Sequence, residues 1–287
     1  MHRLPRESSQ IVPLGDRQVR VVTGGDGKPS VFFDAALGTP LEEWALVAPR
    51  TAGAHRVVLW DRPGIGQSDA GPVVTGERLV ALIAELLATT NAGPAVLVGH
   101  SLGALHVLCV SLEHPELVAG LVMVEPSHPE QISRLCDARD PLLTVAGVLA
   151  KLPRAVGGGI GSVIATAGAV LPLDRRTRAL TELAPLVGRR LPAVTDEHAG
   201  TSSLFSYASD LLARTSLGDV PVEVLTGGDN FADHASLHAE WHAMHAELAG
   251  LSSRGAHRIV RGGHDIPFAA PDAVIDAIER VAASARL

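Results

Sequence analysis

The sequence predicts an α/β protein: a mostly parallel, doubly wound sheet with an inserted helical cap. Short apolar, β-branched runs alternate with longer helix-forming segments over most of the chain, a pattern typical of parallel strands joined by helices. The strand-forming pattern is missing between residues 127 and 218, where helix-like segments are interrupted by prolines. We therefore predict a core formed by residues 1–126 and 219–287 and a helical cap formed by residues 127–218.

The predicted elements follow in order from the hydrophobic pattern and the turn residues. Residues 10–22 form a predicted hairpin, because Gly15-Asp16 is a turn between two apolar runs. Further strands are predicted at residues 30–33, 55–60, 95–98, 120–124, 220–226 and 257–260. Helices are predicted at residues 41–52, 76–90, 102–108, 233–249 and 271–283.

The composition excludes several classes of protein. A hydrophobic content of 46% with 19% charged residues is sufficient for a large core, so the chain is not generally disordered. The net charge of -7 offers no basic face, and no nucleic-acid partner is expected. Cys109 and Cys136 lie in apolar or helical stretches without metal-ligand spacing, which indicates reduced cysteines in or near the core. The first residues lack the apolar segment of a signal peptide, and we expect a cytoplasmic protein.

Residues 97–103 read Leu-Val-Gly-His-Ser-Leu-Gly and contain a G-x-S-x-G pattern around Ser101. The pattern lies between a predicted buried strand and a predicted helix. A sharp strand-to-helix turn exposes the serine hydroxyl, and it leaves room only for small residues two positions to either side, here Gly99 and Gly103. A serine hydroxyl becomes a nucleophile when a base accepts its proton. The pattern therefore predicts a nucleophilic Ser101.

Other residues with suitable chemistry follow the predicted strands at their carboxyl ends. Parallel strands end at the same edge of a sheet, and ligands bind beyond that edge in folds of this class. We therefore expect one site that contains Leu37, Ser101, Glu125, Asp229 and His264.

The chain resembles the α/β-hydrolase superfamily in several motifs that occur in the same order. Residues 61–68 (Asp-Arg-Pro-Gly-Ile-Gly-Gln-Ser) are similar to the family's D-x-x-G-x-G-x-S segment, and residues 99–103 match its nucleophile turn. Residues 262–278, with Gly-Gly-His followed by a proline and an apolar helix, are similar to its C-terminal region. The resemblance implies Ser101 as nucleophile and His264 as general base, since an imidazole exchanges protons near neutral pH. Asp61 and Arg62 are interpreted as structural residues.

The resemblance also implies the donors of an oxyanion hole. Two backbone N–H groups stabilise the negative charge that develops on the substrate oxygen. One belongs to Leu102, directly after the nucleophile. The other belongs to Leu37, in the loop after the strand at residues 30–33, where many family members carry His-Gly and this chain carries Ala-Ala.

Two residues satisfy the family's chain order for the third member of the triad, the acid between serine and histidine. Asp229 follows the penultimate strand, the commoner position, and Glu125 follows the strand before the cap. The usual Gly-x-x-Asp spacing places the acid at position 230, which is an asparagine here. Both candidates stay open.

These residues imply a serine hydrolase that cleaves an ester, lactone or thioester through an acyl-enzyme, with no cofactor and no metal ion. Serine at position 101 disfavours the haloalkane dehalogenases and most epoxide hydrolases of the superfamily, which carry aspartate there. Carbon–carbon bond hydrolases and acyltransferases use the same residues and remain alternatives, as does a ligand-binding or receptor protein with weak turnover.

Two further segments bear on partners. The uncharged residues 156–173 are interpreted as an apolar lid over the site, with membrane-surface contact or a membrane span as the alternatives. An apolar lid indicates a small, largely apolar substrate.

Four histidines share one face of the helix at 233–249, a spacing that metal ligands also use, but without an H-E-x-x-H motif we interpret them as a polar helix face. These histidines are His234, His238, His242 and His245.

Overall fold

The computed structural model describes residues 9–135, 191–230 and 235–285. The strands of this part of the chain are β1 (Ser9–Leu14), β2 (Arg17–Gly24), β3 (Ser30–Asp34), β4 (Val57–Trp60), β5 (Ala95–His100), β6 (Val118–Val124), β7 (Val222–Gly227) and β8 (Gly255–Val260). They form an eight-stranded sheet in the order β1-β2-β4-β3-β5-β6-β7-β8. β1 and β2 form the predicted hairpin, β2 pairs antiparallel with β4, and every later pair in this order is parallel. The mostly parallel sheet is therefore confirmed.

Helices pack on both faces of this sheet. They are α1 (Ala48–Thr51), α2 (Gly76–Thr89), α3 (Leu102–Glu113), α4 (Gln131–Leu135), α5 (Leu191–Leu212), α6 (Ala235–Gly250), α7 (Ile266–Ala269) and α8 (Pro271–Ser284). Phe32 of β3 belongs to an apolar cluster with side chains of α2, α3 and α5, whereas Val31 and Phe33 belong to another with side chains of α8. Because successive strand residues point to opposite faces, the doubly wound arrangement is confirmed.

The prediction of one helix at residues 41–52 is wrong. The structure has a 3₁₀ turn, Leu41–Trp44, followed by the short helix α1. Pro49 lies in the first turn of α1, where its missing N–H is not needed; inside a longer helix its ring would clash with the carbonyl of residue 45. The Leu41 N–H instead donates to Asp61 Oδ1 at 2.9 Å, a structural contact of the kind expected of Asp61.

Helices α4 and α5 lie in the predicted cap range, and the described part of residues 127–218 contains no strand. Helix α5 packs on α2 and α3. Residues 136–190, with Cys136 and the uncharged stretch at 156–173, lie outside the described residues, so the cap's bounds and its lid role stay predictions. Of the helices that the structure describes, none is both long enough and apolar enough to cross a bilayer. Cys109 in α3 is buried and free, as predicted.

Candidate active site

Ser101 occupies a sharp turn between β5 and α3. Its backbone has φ 53° and ψ -116°, a conformation that side-chain-bearing residues rarely adopt and that often marks functional sites. The turn is held by a hydrogen bond of 3.0 Å from Ser101 N–H to the Val124 carbonyl at the end of β6. The predicted strand-to-helix turn at Ser101 is therefore present.

The two glycines beside this turn are required by close backbone approaches. A Cβ atom on Gly99 would lie 2.5 Å from the Cα of Ala104, and one on Gly103 would lie 2.6 Å from the Asp34 carbonyl oxygen. Both distances are too short for a real Cβ atom. The start of α3 therefore lies directly against the loop that follows β3.

Ser101, His264 and Glu125 form a continuous chain of contacts. Ser101 Oγ lies 3.0 Å from His264 Nε2, and His264 Nδ1 lies 3.4 Å from Glu125 Oε2. The His264 side chain is 48% exposed, whereas the Glu125 side chain is 0% exposed. The serine and imidazole thus face accessible space, and the carboxylate lies behind them in the protein.

The Glu125 carboxylate is surrounded by hydrogen-bond donors. Its Oε1 accepts from Gly227 N–H, and its Oε2 accepts from Asn230 Nδ2 at 2.8 Å and from Trp241 Nε1 at 3.0 Å. Burial raises the pKa of Glu125, but the His264 contact, the charge of nearby histidines and the Gly227 N–H outweigh it, so the pKa lies below its ordinary value. Its backbone φ of 46° is a second strained position at this site.

Asp229, the other predicted acid candidate, is not the carboxylate that contacts His264. Its side chain is exposed, and its N–H donates to the Gly262 carbonyl at 2.9 Å. Within the described part of the chain its carboxylate makes no hydrogen bond to His264. Position 230, where the family's usual spacing places the acid, carries the asparagine that donates to Glu125.

A buried histidine–carboxylate pair, His100 and Glu43, lies beside the imidazole of His264. His100 Nε2 donates to the His264 carbonyl at 2.7 Å, and His100 Nδ1 lies 2.8 Å from Glu43 Oε1. Burial lowers the pKa of His100, but the charge and hydrogen bond of Glu43 more than compensate, so the pKa is raised above its ordinary value. The pair holds the backbone that carries His264. Sequence reasoning missed both residues.

The predicted oxyanion donors belong to two segments that meet beside Gly103, the start of α3 and the loop after β3. Leu102 is the first residue of α3, where helix N–H groups have no partner inside the helix and the helix dipole is positive. Leu37 lies half-buried in the loop after β3, and this loop is the one that contacts the start of α3 near Gly103. The loop's Ala36 N–H donates to Glu43 Oε2 at 2.8 Å.

The interpretation of the α6 histidines as a polar face is wrong for His245, which is fully buried. His245 Nδ1 lies 2.6 Å from Thr226 Oγ1, and His245 Nε2 donates to the Pro126 carbonyl at 2.9 Å. Burial lowers the pKa of His245 to about 4, although the charge of Glu125 opposes the shift. His234 lies outside the described residues, and among those described no group of three or more His, Cys, Asp or Glu side chains is placed to hold a metal ion.

Comparisons with known proteins show what the chain and its fold are similar to. A model of the alpha/beta hydrolase family matches residues 24–277. The chain is similar to the protein named "Putative carbamate hydrolase RutD" of Serratia proteamaculans, with 27% identity over 82% of this chain and 84% of that protein. It is 31% identical to the sn-1-specific diacylglycerol lipase ABHD11 of Danio rerio over 36% of this chain and 33% of that protein. The crystal structure of a "putative alpha/beta hydrolase" from Nostoc sp. PCC 7120 shares the fold, with a TM-score of 0.74 and 17% identity over 95% of this chain and 97% of that one.

Proposed function

The chain belongs to the alpha/beta hydrolase family, and from this premise we propose that it is a serine hydrolase that cleaves an ester, lactone or thioester of a small, largely apolar substrate. The observation that carries the proposal is the contact chain from Ser101 Oγ through the His264 imidazole to the Glu125 carboxylate. These are the atoms that nucleophilic acyl transfer requires, in the order in which it uses them.

In the proposed mechanism, Ser101 Oγ attacks the substrate's acyl carbon while His264 Nε2 accepts the hydroxyl proton. The carbonyl electron pair moves to oxygen, and the N–H groups of Leu37 and Leu102 stabilise this oxyanion. When the tetrahedral intermediate collapses, the bond to the leaving group breaks and His264 returns the proton to that group. Water, deprotonated by His264, then attacks the acyl-enzyme in the same way and releases the acid and the free serine.

We assign Glu125 as the acid of the triad. An ionised carboxylate beside Nδ1 keeps the proton of the imidazole on that nitrogen, so that Nε2 is free to accept the proton of Ser101. The lowered pKa of Glu125 keeps it ionised at neutral pH, and its buried position makes it effective at stabilising the imidazolium that forms. Asp229, which is exposed, has no role in this mechanism.

The names of the relatives support acyl cleavage as the reaction class. Carbamates and diacylglycerols both contain an acyl carbon bonded to a heteroatom leaving group, which is the bond that this mechanism breaks. The proposed apolar lid at residues 156–173 would favour substrates whose acyl part is apolar.

Covalent labelling tests the proposal. A fluorophosphonate should modify the folded protein once, at Ser101, and p-nitrophenyl esters should be hydrolysed, with both activities absent in Ser101→Ala. Ser133→Ala, which removes an exposed hydroxyl on α4, should keep both. A folded parent protein that remains unlabelled would identify a binding protein instead of an enzyme. Transfer of the acyl group to an added alcohol in preference to water would identify an acyltransferase.

A series of p-nitrophenyl esters from acetate to octanoate tests the substrate class. Turnover should improve from acetate to longer acyl groups, because a longer chain would bury more apolar surface against the lid that we propose. A maximum at acetate would contradict an apolar substrate. A matching p-nitrophenyl carbamate tests whether the protein also cleaves carbamates, the compounds named for the relative in Serratia proteamaculans.

A further inference from the structure

Among the described residues, the peptide group between residues 36 and 37 makes hydrogen bonds through its carbonyl oxygen and not through its N–H. Its carbonyl oxygen, that of Ala36, accepts from Arg62 Nη2 at 2.6 Å, from Thr39 Oγ1 at 2.7 Å and from Thr39 N–H at 3.1 Å. Its N–H is that of Leu37, the proposed oxyanion donor. In a planar trans peptide the C=O and N–H point in opposite directions, so fixing the carbonyl also fixes the direction of the Leu37 N–H.

Arg62 is buried in a site built for its guanidinium. The side chain is 2% exposed, and Nη1 donates to the Ala35 carbonyl at 2.7 Å and to Asp34 Oδ1 at 2.9 Å. Burial lowers the pKa of Arg62, but the carboxylates of Glu197 and Asp34 more than compensate and raise it above its ordinary value, so the group is always charged. A planar fork of donors that spans two successive carbonyls is a geometry that lysine cannot reproduce.

A rotated peptide at this position would be strongly disfavoured. The rotation would turn the Leu37 N–H towards the Arg62 guanidinium, placing donor against donor, and would turn the Ala36 carbonyl towards the position of the oxyanion. The guanidinium would then have lost an acceptor in a buried site, which leaves an unsatisfied donor there. Arg62 thus selects the peptide orientation in which the N–H is available to the substrate.

Glu197 connects this arrangement to α5. Its carboxylate accepts from Arg62 Nε through Oε1 and from the Gly38 N–H at 2.5 Å through Oε2. Both neighbours of Leu37 therefore bind the Arg62–Glu197 pair. The Ala36 carbonyl accepts from Arg62, and the Gly38 N–H donates to Glu197. The Glu197 side chain is 12% exposed, so this pair is shielded from solvent.

We propose that Arg62, held in place by Glu197 from helix α5, is a positioning residue that sets the Leu37 N–H as a donor of the oxyanion hole. The inference rests on the proposed function, because the oxyanion exists only if Ser101 attacks a carbonyl. Residues 61–68 thereby contribute to catalysis through the backbone, beyond the structural role that their motif indicated.

The test compares Arg62→Met with Arg56→Met. Arg56 also holds backbone carbonyls, with Nη1 donating to Thr90 at 2.6 Å and to Asn91 at 3.3 Å, but it lies away from the site. The measurements are kcat and KM for p-nitrophenyl acetate and the inhibition constant of phenylboronic acid, which forms a tetrahedral anionic adduct with an activated serine. Because an oxyanion donor acts on the transition state, Arg62→Met should lower kcat by about 10- to 100-fold and leave KM near the parent value. Boronate affinity should fall in parallel, and Arg56→Met should retain all three values.

Three outcomes decide the matter. A folded Arg62→Met with parental kcat and boronate affinity overturns the inference and leaves the proposed function intact. A parent protein that neither hydrolyses the ester nor binds the boronate overturns both. If Arg62→Met fails to fold, Glu197→Gln replaces it: this change keeps an acceptor and removes the charge, and it should weaken boronate binding with little effect on KM. Parental boronate affinity in Glu197→Gln would then overturn the inference.

Discussion

Asn230 holds Glu125 by a hydrogen bond of 2.8 Å from its side-chain amide to Oε2, the same carboxylate oxygen that faces His264 Nδ1. Trp241 donates to this oxygen as well. The carboxylate is therefore oriented by neutral donors that persist whether or not the imidazole is charged. Such a preorganised acceptor needs no rearrangement when the positive charge develops on His264.

Replacing Glu125 by Gln should decrease kcat by about three orders of magnitude or more, as expected when the imidazole loses its carboxylate partner. The amide NH2 of glutamine would also face one of the N–H donors whose hydrogen bond Glu125 accepts, so the variant should be less stable. Thermal unfolding measures this loss of stability separately from turnover. Asp229→Asn is the matched control, because it removes an exposed carboxylate near the same loop, and its kcat should equal the parental value. A severe loss in Asp229→Asn with an active Glu125→Gln would reverse the assignment of the acid.

Replacing Asn230 by Asp should shift the acid limb of the kcat/KM–pH profile to higher pH. A carboxylate at hydrogen-bond distance from Glu125 is a like charge, and like charges raise the pKa of the pair until one proton is shared. The shared proton weakens the interaction with the His264 imidazolium, so activity near neutral pH should fall. Asn91→Asp adds the same charge at an exposed position outside the site and should leave the profile in place. Superimposable profiles for the parent and Asn230→Asp would contradict the contact.

The stability of the protein should decrease as pH falls from 6.5 towards 4 because of His245. Its pKa in the folded protein is about 4, against an ordinary value of 6.5, so in this window the unfolded chain binds a proton that the native state does not. The lowered pKa of His245 can decrease the free energy of unfolding by at most about 3 kcal/mol over this window. The pKa of Glu125 in the folded protein is lowered from 4.5, so its contribution to the free energy of unfolding is lost only below pH 4.5. Measurements of stability between pH 7 and 5 therefore report mainly on histidines.

Urea unfolding of the parent and of His245→Gln at pH 7, 6 and 5 checks this expectation. Glutamine keeps a donor for the Pro126 carbonyl and does not titrate, so the variant should lose less stability between pH 7 and 5 than the parent. His114→Gln, at the end of α3 and outside this cluster, should keep the parental slope. Equal slopes for the parent and His245→Gln would show that His245 is not held neutral.

Local patterns were sufficient to predict the fold and the nucleophile turn. The requirement for small residues around Ser101 arises within a few positions of the chain, so Gly99 and Gly103 show it directly. The alternation of strands and helices likewise depends on local periodicity. The choice between Glu125 and Asp229 depends instead on which carboxylate contacts His264. It also depends on hydrogen-bond donors, such as Asn230, that are more than a hundred positions from Glu125 in the sequence.

Buried polar residues were the main source of error for the same reason. Hydrophobic periodicity assigns a histidine to a polar face, but His245 is buried because Thr226 and the Pro126 carbonyl satisfy both its nitrogens. His100 and Glu43 satisfy one another in the same way. The signal that could have been used is the buried Trp241, because residues four positions apart share one face of a helix and Trp241 therefore lies on the face of His245.

Gly103→Ala should damage both stability and turnover. The added Cβ would lie 2.6 Å from the Asp34 carbonyl oxygen, and this backbone cannot yield easily because Arg62 and His106 bind the Asp34 side chain. The start of α3 would have to move away from the loop after β3, at a cost of about 1–3 kcal/mol, and the Leu102 and Leu37 N–H groups would separate. Gly250→Ala is the matched control, because a Cβ there meets nothing within 4 Å and alanine favours the helix. Urea unfolding and kcat for p-nitrophenyl acetate measure both effects, and a Gly103→Ala protein as stable and active as Gly250→Ala would contradict the close approach of α3 to the oxyanion loop.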